Sequence, residues 1–147
     1  MKNLTDKMLQ VVLAVLVECS WRMNKVDTKF KHAFERIFEQ ALGEMQLREL
    51  PRAECESDLV PKLVRLGSRQ YAEERKLLAK DLESYDPAVF GDDELALMYA
   101  IGAEIADFSM LGRGIRTLNE AIWLDSEKEM KKRKLELNFL CDLENWG

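Results

Sequence analysis

The chain has 147 residues but only one histidine, 3 cysteines, 3 prolines and 7 glycines, and each scarcity closes something off. With His32 alone, no histidine cluster can hold a metal, and His32 has no Ser or Cys partner at motif spacing. Cys19, Cys55 and Cys141 are an odd number with no close pair, which excludes a disulfide framework and a Cys-x-x-Cys knuckle. Free thiols in a reducing, cytoplasmic setting are the expectation. So little glycine and proline leaves no glycine-rich phosphate loop and no linker long enough to divide the chain. The apolar run Met8–Val17 is interrupted by Gln10 and is too short to span a bilayer, so it reads as a buried first helix rather than a signal peptide or membrane anchor. Positive charge is in deficit as well. A net charge of -5 disfavours capture of nucleic acid or of a lipid surface, since both are bound mainly by Lys and Arg neutralising phosphate.

What remains favours helix. Hydrophobic residues make up 47% and charged residues 33%, dominated by straight-chain side chains and alanine, which lose least on entering a helix. A globule of this size buries roughly 70% of its unfolded surface, enough for a core without staples. Asn3 or Thr5 can cap a first helix reaching Met23, with Met8, Val11, Val12, Val15 and Leu16 at helical spacing. Asp27 caps a second helix with the stripe Phe30, Phe34, Ile37, Phe38 and Ala41, and Gly43 is placed to stop it. Met45–Cys55 reads as an irregular connector, after which Ser57-Asp58 opens a segment carrying Leu59, Val60, Leu63, Val64 and Leu66. Beyond Gly67, Tyr71, Leu78, Leu82 and Tyr85 share a face up to a stop at Asp86-Pro87. Asp92-Asp93-Glu94 suits the positive end of a helix dipole, and Leu95, Met98, Ile101 and Ile105 follow on its buried side. Ala96, Ala100, Gly102, Ala103 and Ala106 keep that helix slim enough to be the central one. A helix over Met110–Leu124 follows. A last one, opened by the capping box Ser126-Glu127-Lys128-Glu129, runs toward Trp146. The expected fold is all-α, a compact single-domain bundle over 1–147 of about seven helices with short connectors.

Three features bear on function. Glu104 and Asp107 lie three apart on the slim helix, where they can share a face for a metal or a basic partner, or serve as ordinary surface carboxylates near Arg113 and Arg116. Lys131-Lys132-Arg133-Lys134 is a candidate nucleic-acid patch, but Glu127 and Glu129 stand four residues ahead of Lys131 and Arg133 and favour a salt-bridged, solvated face. Leu135, Leu137, Phe139, Leu140, Cys141, Leu143 and Trp146 surround more of the last helix than one neighbour can cover, so Leu135, Phe139, Leu143 and Trp146 are candidate partner-binding residues.

The order of helices and two turns resembles the tellurite-resistance TerB and DjlA N-terminal family, whose pattern is a helix, then Asp-Gly-x-Ile/Val-Asp, then a helix with an early Glu, twice over. Met23-Asn24-Lys25-Val26-Asp27 resembles the first copy, with Asn24 in the left-handed place of Gly. Ala106-Asp107-Phe108 resembles the second. The resemblance implies a helical fold and a setting in bacterial stress or defence; the family binds metal at its acidic positions, of which Asp107 alone is kept, so metal binding does not carry over with the fold.

The leading expectation is therefore a non-catalytic helical module, without cofactor, that binds another protein or itself, a homodimer included. A TerB-like metal-dependent role through Glu104 and Asp107 is the second reading, and nucleic-acid binding through Lys131 to Lys134 the third. With one carboxylate of the pattern kept, Ca²⁺, Mg²⁺ and Zn²⁺ should leave the melting temperature unchanged, because only a ligand bound by the native state raises it. A rise in thermal scans that Asp107→Asn abolishes would establish the metal site instead.

Overall fold

The computed structural model describes residues 1–50, 75–106 and 113–135. Among these the fold is all-α, with no strand. Helix α1 (Asp6–Cys19) is capped by Thr5, whose hydroxyl accepts from Met8 N at 3.2 Å, and it buries Met8, Leu9, Val11, Val12, Val15, Leu16 and Cys19. This apolar run is thus the buried first helix that its pattern predicts. A 3₁₀ turn (Ser20–Lys25) follows, so the α-helix stops short of Met23. Asn24 sits within that turn rather than in the left-handed region, where only Glu49 and Lys134 are found among the described non-glycine residues.

Helix α2 (Thr28–Leu47) starts at Asp27, which accepts from Thr28 N at 2.9 Å, and it buries Phe30, Ala33, Ile37, Ala41 and Met45. Phe34 and Phe38 stack at 5.9 Å along its partly buried edge. Gly43 does not stop this helix, which runs through it to Leu47. The stop is Arg48-Glu49-Leu50: Glu49 turns left-handed (φ 55), its N–H bonds Gln46 O at 3.1 Å, and Leu50 N–H bonds Met45 O at 2.9 Å, a Schellman closure without glycine.

The short helix α3 (Ala79–Ser84) ends where Tyr85 and Asp86 become extended before Pro87. After a 3₁₀ turn (Pro87–Val89), helix α4 (Asp92–Ala106) begins with its three acidic residues and buries Leu95, Leu97, Met98, Ile101 and Ile105. Gly91 N–H bonds Glu94 Oε2 at 2.8 Å, which steadies that start. Helix α5 (Arg113–Glu120), a π-helical turn (Ala121–Asp125) and helix α6 (Ser126–Lys132) form one uninterrupted helical run. Ser126 therefore caps nothing. It has helical φ and ψ inside the run and is fully buried, so the capping-box reading is overturned. The run stops at Lys132 rather than continuing toward Trp146. Lys134 is left-handed (φ 58), Lys134 N–H bonds Lys131 O at 3.1 Å and Leu135 N–H bonds Met130 O at 2.9 Å.

Helix α4 is central, as its small residues predict. It packs against α1, α2, α5, α6 and the π turn. At Gly102 a Cβ would stand 2.8 Å from both N and Cα of Trp123, so the two backbones touch only because residue 102 has no side chain. Asn119 Nδ2 donates to Gly102 O at 2.9 Å on the same seam.

The two interior glycines give opposite expectations. Gly102→Ala should destabilise the fold by about 1–3 kcal/mol, since backbone cannot move aside as a side-chain tip can. Gly43→Ala, with nothing within 4 Å of the new methyl, should stabilise it by roughly 0.5–1 kcal/mol. Urea titrations of the two variants check both signs.

Candidate functional site

The end of α6 decides where the predicted partner residues fall. Lys134 breaks the helix, and Leu135 folds back as the closing residue of the turn, half-buried against the core. Leu135 is thus the edge of the core rather than the first rung of an exposed stripe. Phe139, Leu143 and Trp146 lie outside the described residues, and the register of α6 does not carry through to them because its helix ends at Lys132.

The basic run is half neutralised. Lys131 Nζ lies 2.8 Å from Glu127 Oε1, and this hydrogen bond raises its pKa. Arg133 Nε bonds Glu129 Oε1 at 3.2 Å. These are the two i,i+4 pairs that the spacing predicts. Glu104 is half-buried on α4, and Asp107 lies outside the described residues. Among the described residues no three of His, Cys, Asp and Glu come together as a metal-ligand set. His32 is exposed, 3.7 Å from Glu35. Cys19 is a buried free thiol, and Cys55 and Cys141 lie outside the described residues. No described helix is long and apolar enough to cross a membrane.

Two arrangements escape a reading by periodicity. The first is a matched pair of arginine clasps. Arg48, at the end of α2, bonds Glu44 through Nε (2.9 Å), and its Nη atoms reach back to Leu4 O (2.7 Å), Lys2 O (3.0 Å), Met1 O (3.4 Å) and Asp6 Oδ1 (3.0 Å). Arg133, at the end of α6, bonds Glu129 in the same way, and its Nη atoms reach Ala88 O (3.1 Å), Pro87 O (3.5 Å) and Asp92 Oδ1 (3.1 Å). Each guanidinium thus closes a helix end on the approach and first residue of the preceding long helix. The sequence signal is Glu-Met-x-x-Arg-x-Leu, present at Glu44–Leu50 and again at Glu129–Leu135.

The second arrangement surrounds the π turn. Tyr85 Oη and Ser126 Oγ share a fully buried hydrogen bond of 2.7 Å, and burial pushes the Tyr85 pKa upward, keeping the phenol protonated. Asp125 lies at the end of the turn, where partial burial raises its carboxyl pKa against the opposing pull of Lys128 and Arg75. Asn119 Oδ1 and Trp123 Nε1 are buried without a partner among the described residues.

No family model, curated protein or solved structure matches the chain.

A raised Asp125 pKa means that the folded state holds this proton more tightly than the unfolded chain does, so ionisation at neutral pH costs stability and protonation restores it. Asp125→Asn should therefore raise the melting temperature at pH 7, by roughly 1–3 °C for a partly solvated group. The gain should vanish as the pH falls through the carboxylate range. Thermal melts of both proteins from pH 7 to pH 3.5 check the direction.

Proposed function

We propose that the chain is a non-catalytic helical module that acts by binding another protein or a second copy of itself through apolar residues near its C-terminal end. One observation supports this reading: α6 ends in a Schellman turn at Lys134-Leu135, ahead of those residues. Met130 is fully buried and Leu135 folds back over the core at the Schellman turn. Leu137, Phe139, Leu140, Leu143 and Trp146 then follow within a short stretch of sequence. Such a cluster of apolar groups suits a partner's apolar surface, where aromatic anchors carry much of the energy. The pairing of Lys131 with Glu127 and of Arg133 with Glu129 fits a protein partner better than a phosphate backbone, which needs unpaired cations.

The deciding variant is Leu143→Glu with Trp146→Ala. It should weaken association about tenfold or more by sedimentation equilibrium while moving the melting temperature by less than about 3 °C, the pattern of an anchor at an interface. Collapse of the fold with unchanged association would assign these residues to the core and end the proposal.

A further inference from the structure

We propose that the described part of this chain is two fused copies of one helical-hairpin unit, and that a second copy of the chain can pair with it by exchange, residues 1–50 of one protomer packing on residues 75–106 and 113–135 of the other. The repeat is visible in sequence, backbone, hydrogen bonding and burial. In sequence, Glu-Met-x-x-Arg-x-Leu closes both α2 and α6. In backbone, both closures place a non-glycine residue, Glu49 or Lys134, in the left-handed region and make the same pair of Schellman bonds. In hydrogen bonding, Arg48 and Arg133 each hold a glutamate four residues back, the first aspartate of the preceding long helix, and the carbonyls just ahead of it.

In burial, Ala33, Ile37, Ala41 and Met45 of α2 correspond to Leu118, Ile122, Ser126 and Met130 of the α5–α6 run. Leu9, Val11, Val12, Val15 and Cys19 of α1 correspond at equal spacing to Leu95, Leu97, Met98, Ile101 and Ile105 of α4. Chance agreement of a short motif would not also match the buried pattern of both helices.

The interface between the units follows from the repeat. Helix α1 meets α4 and α5, and its counterpart α4 meets α1 and α2. Each unit thus offers its partner the same face that it receives, which is the self-complementarity of a two-fold homodimer. A face of that kind has its complement in the second unit of the same chain and equally in the second unit of another. Covalent connection of the two units favours the closed monomer in dilute protein, and exchange competes as the protein concentration during folding rises toward ~1 mM.

A charge swap across the seam reads exchange directly. Arg36 Nε lies 2.7 Å from Glu94 Oε1, the first in α2 and the second in α4. Arg36→Glu alone, or Glu94→Arg alone, puts like charges together in its own closed monomer and in its own exchanged homodimer. A mixed exchanged dimer of the two variants restores opposite charges at both seams. The full-length variants, singly and as an equimolar mixture, are unfolded in guanidinium, refolded at ~10 µM and ~1 mM total protein, and counted by native mass spectrometry.

The expected result is monomer at the low concentration and dimer at the high one, with the mixed dimer about tenfold over either homodimer, as two repaired exposed pairs allow. That dimer should survive dilution under native conditions and revert only through unfolding. Monomer alone at both concentrations, a mixed dimer in no excess over the statistical proportion, or a dimer that dissociates on simple dilution would overturn the proposal. The contacts by which exchange is argued all lie ahead of residue 136, so Leu143→Glu with Trp146→Ala should leave it intact even if that variant abolishes the association proposed above.

Discussion

Two guanidinium groups fix the ends of the long helices, Arg48 holding the start of α1 to the end of α2 and Arg133 holding the start of α4 to the end of α6. An α-helix leaves its first N–H groups and its last carbonyls without internal partners. At the clasps both problems meet in one place. The arginine brings positive charge to the negative end of its own helix, and it reaches the aspartate and carbonyls at the start of the preceding one. Arg48 and Arg133 keep 20% and 22% of their side chains exposed, but Asp6 and Asp92 are exposed at 64% and 65%. These two ion pairs are therefore screened like other surface pairs, and the bonds to Glu44, Glu129 and the backbone carbonyls do more of the holding.

Much of the helical layout is legible in the sequence because it rests on local spacing. The apolar repeat of α1, the Asp27 cap, the extended backbone before Pro87, the acidic start of α4 and the Glu127–Lys131 and Glu129–Arg133 pairs all depend on residues within one or two turns of each other. The helix ends are a different matter. Glycine usually marks a left-handed stop, but here Glu49 and Lys134 take that place and Gly43 lies mid-helix with space around it. What compensates the backbone cost is the arginine before each stop and the leucine after it, whose partners are not local. Ser126 misleads for the same reason. Ser-x-x-Glu is a capping signature only when the serine ends a non-helical stretch, and this serine spends its hydroxyl on Tyr85, far away in the chain. Of the candidate partner and metal residues, Leu135 and Glu104 are placed by the fold, and Phe139, Leu143, Trp146 and Asp107 lie outside the described residues.

The two units are not perfect images, and the difference is concentrated at one seam. Where α1 carries the fully buried Leu16, the corresponding position of α4 is Gly102. Where α2 is a regular helix, the α5–α6 run widens into a π turn that brings the Trp123 backbone onto that glycine. The two departures explain each other: a wider turn needs room, and a missing side chain provides it. Buried polar atoms without described partners, Asn119 Oδ1 and Trp123 Nε1, occur at this seam, where the second unit departs from the first.

The clasps also order events in time. Every donor and acceptor of the Arg48 clasp lies between Met1 and Arg48, and every one of the Arg133 clasp lies between Pro87 and Arg133. During synthesis the first hairpin can therefore close on itself before any of α4 has been made, as a self-contained local contact set. The apolar face of α1 that packs on α4 and α5 gains those partners only after the second hairpin is made, so the interval between the two is set by the rate of translation.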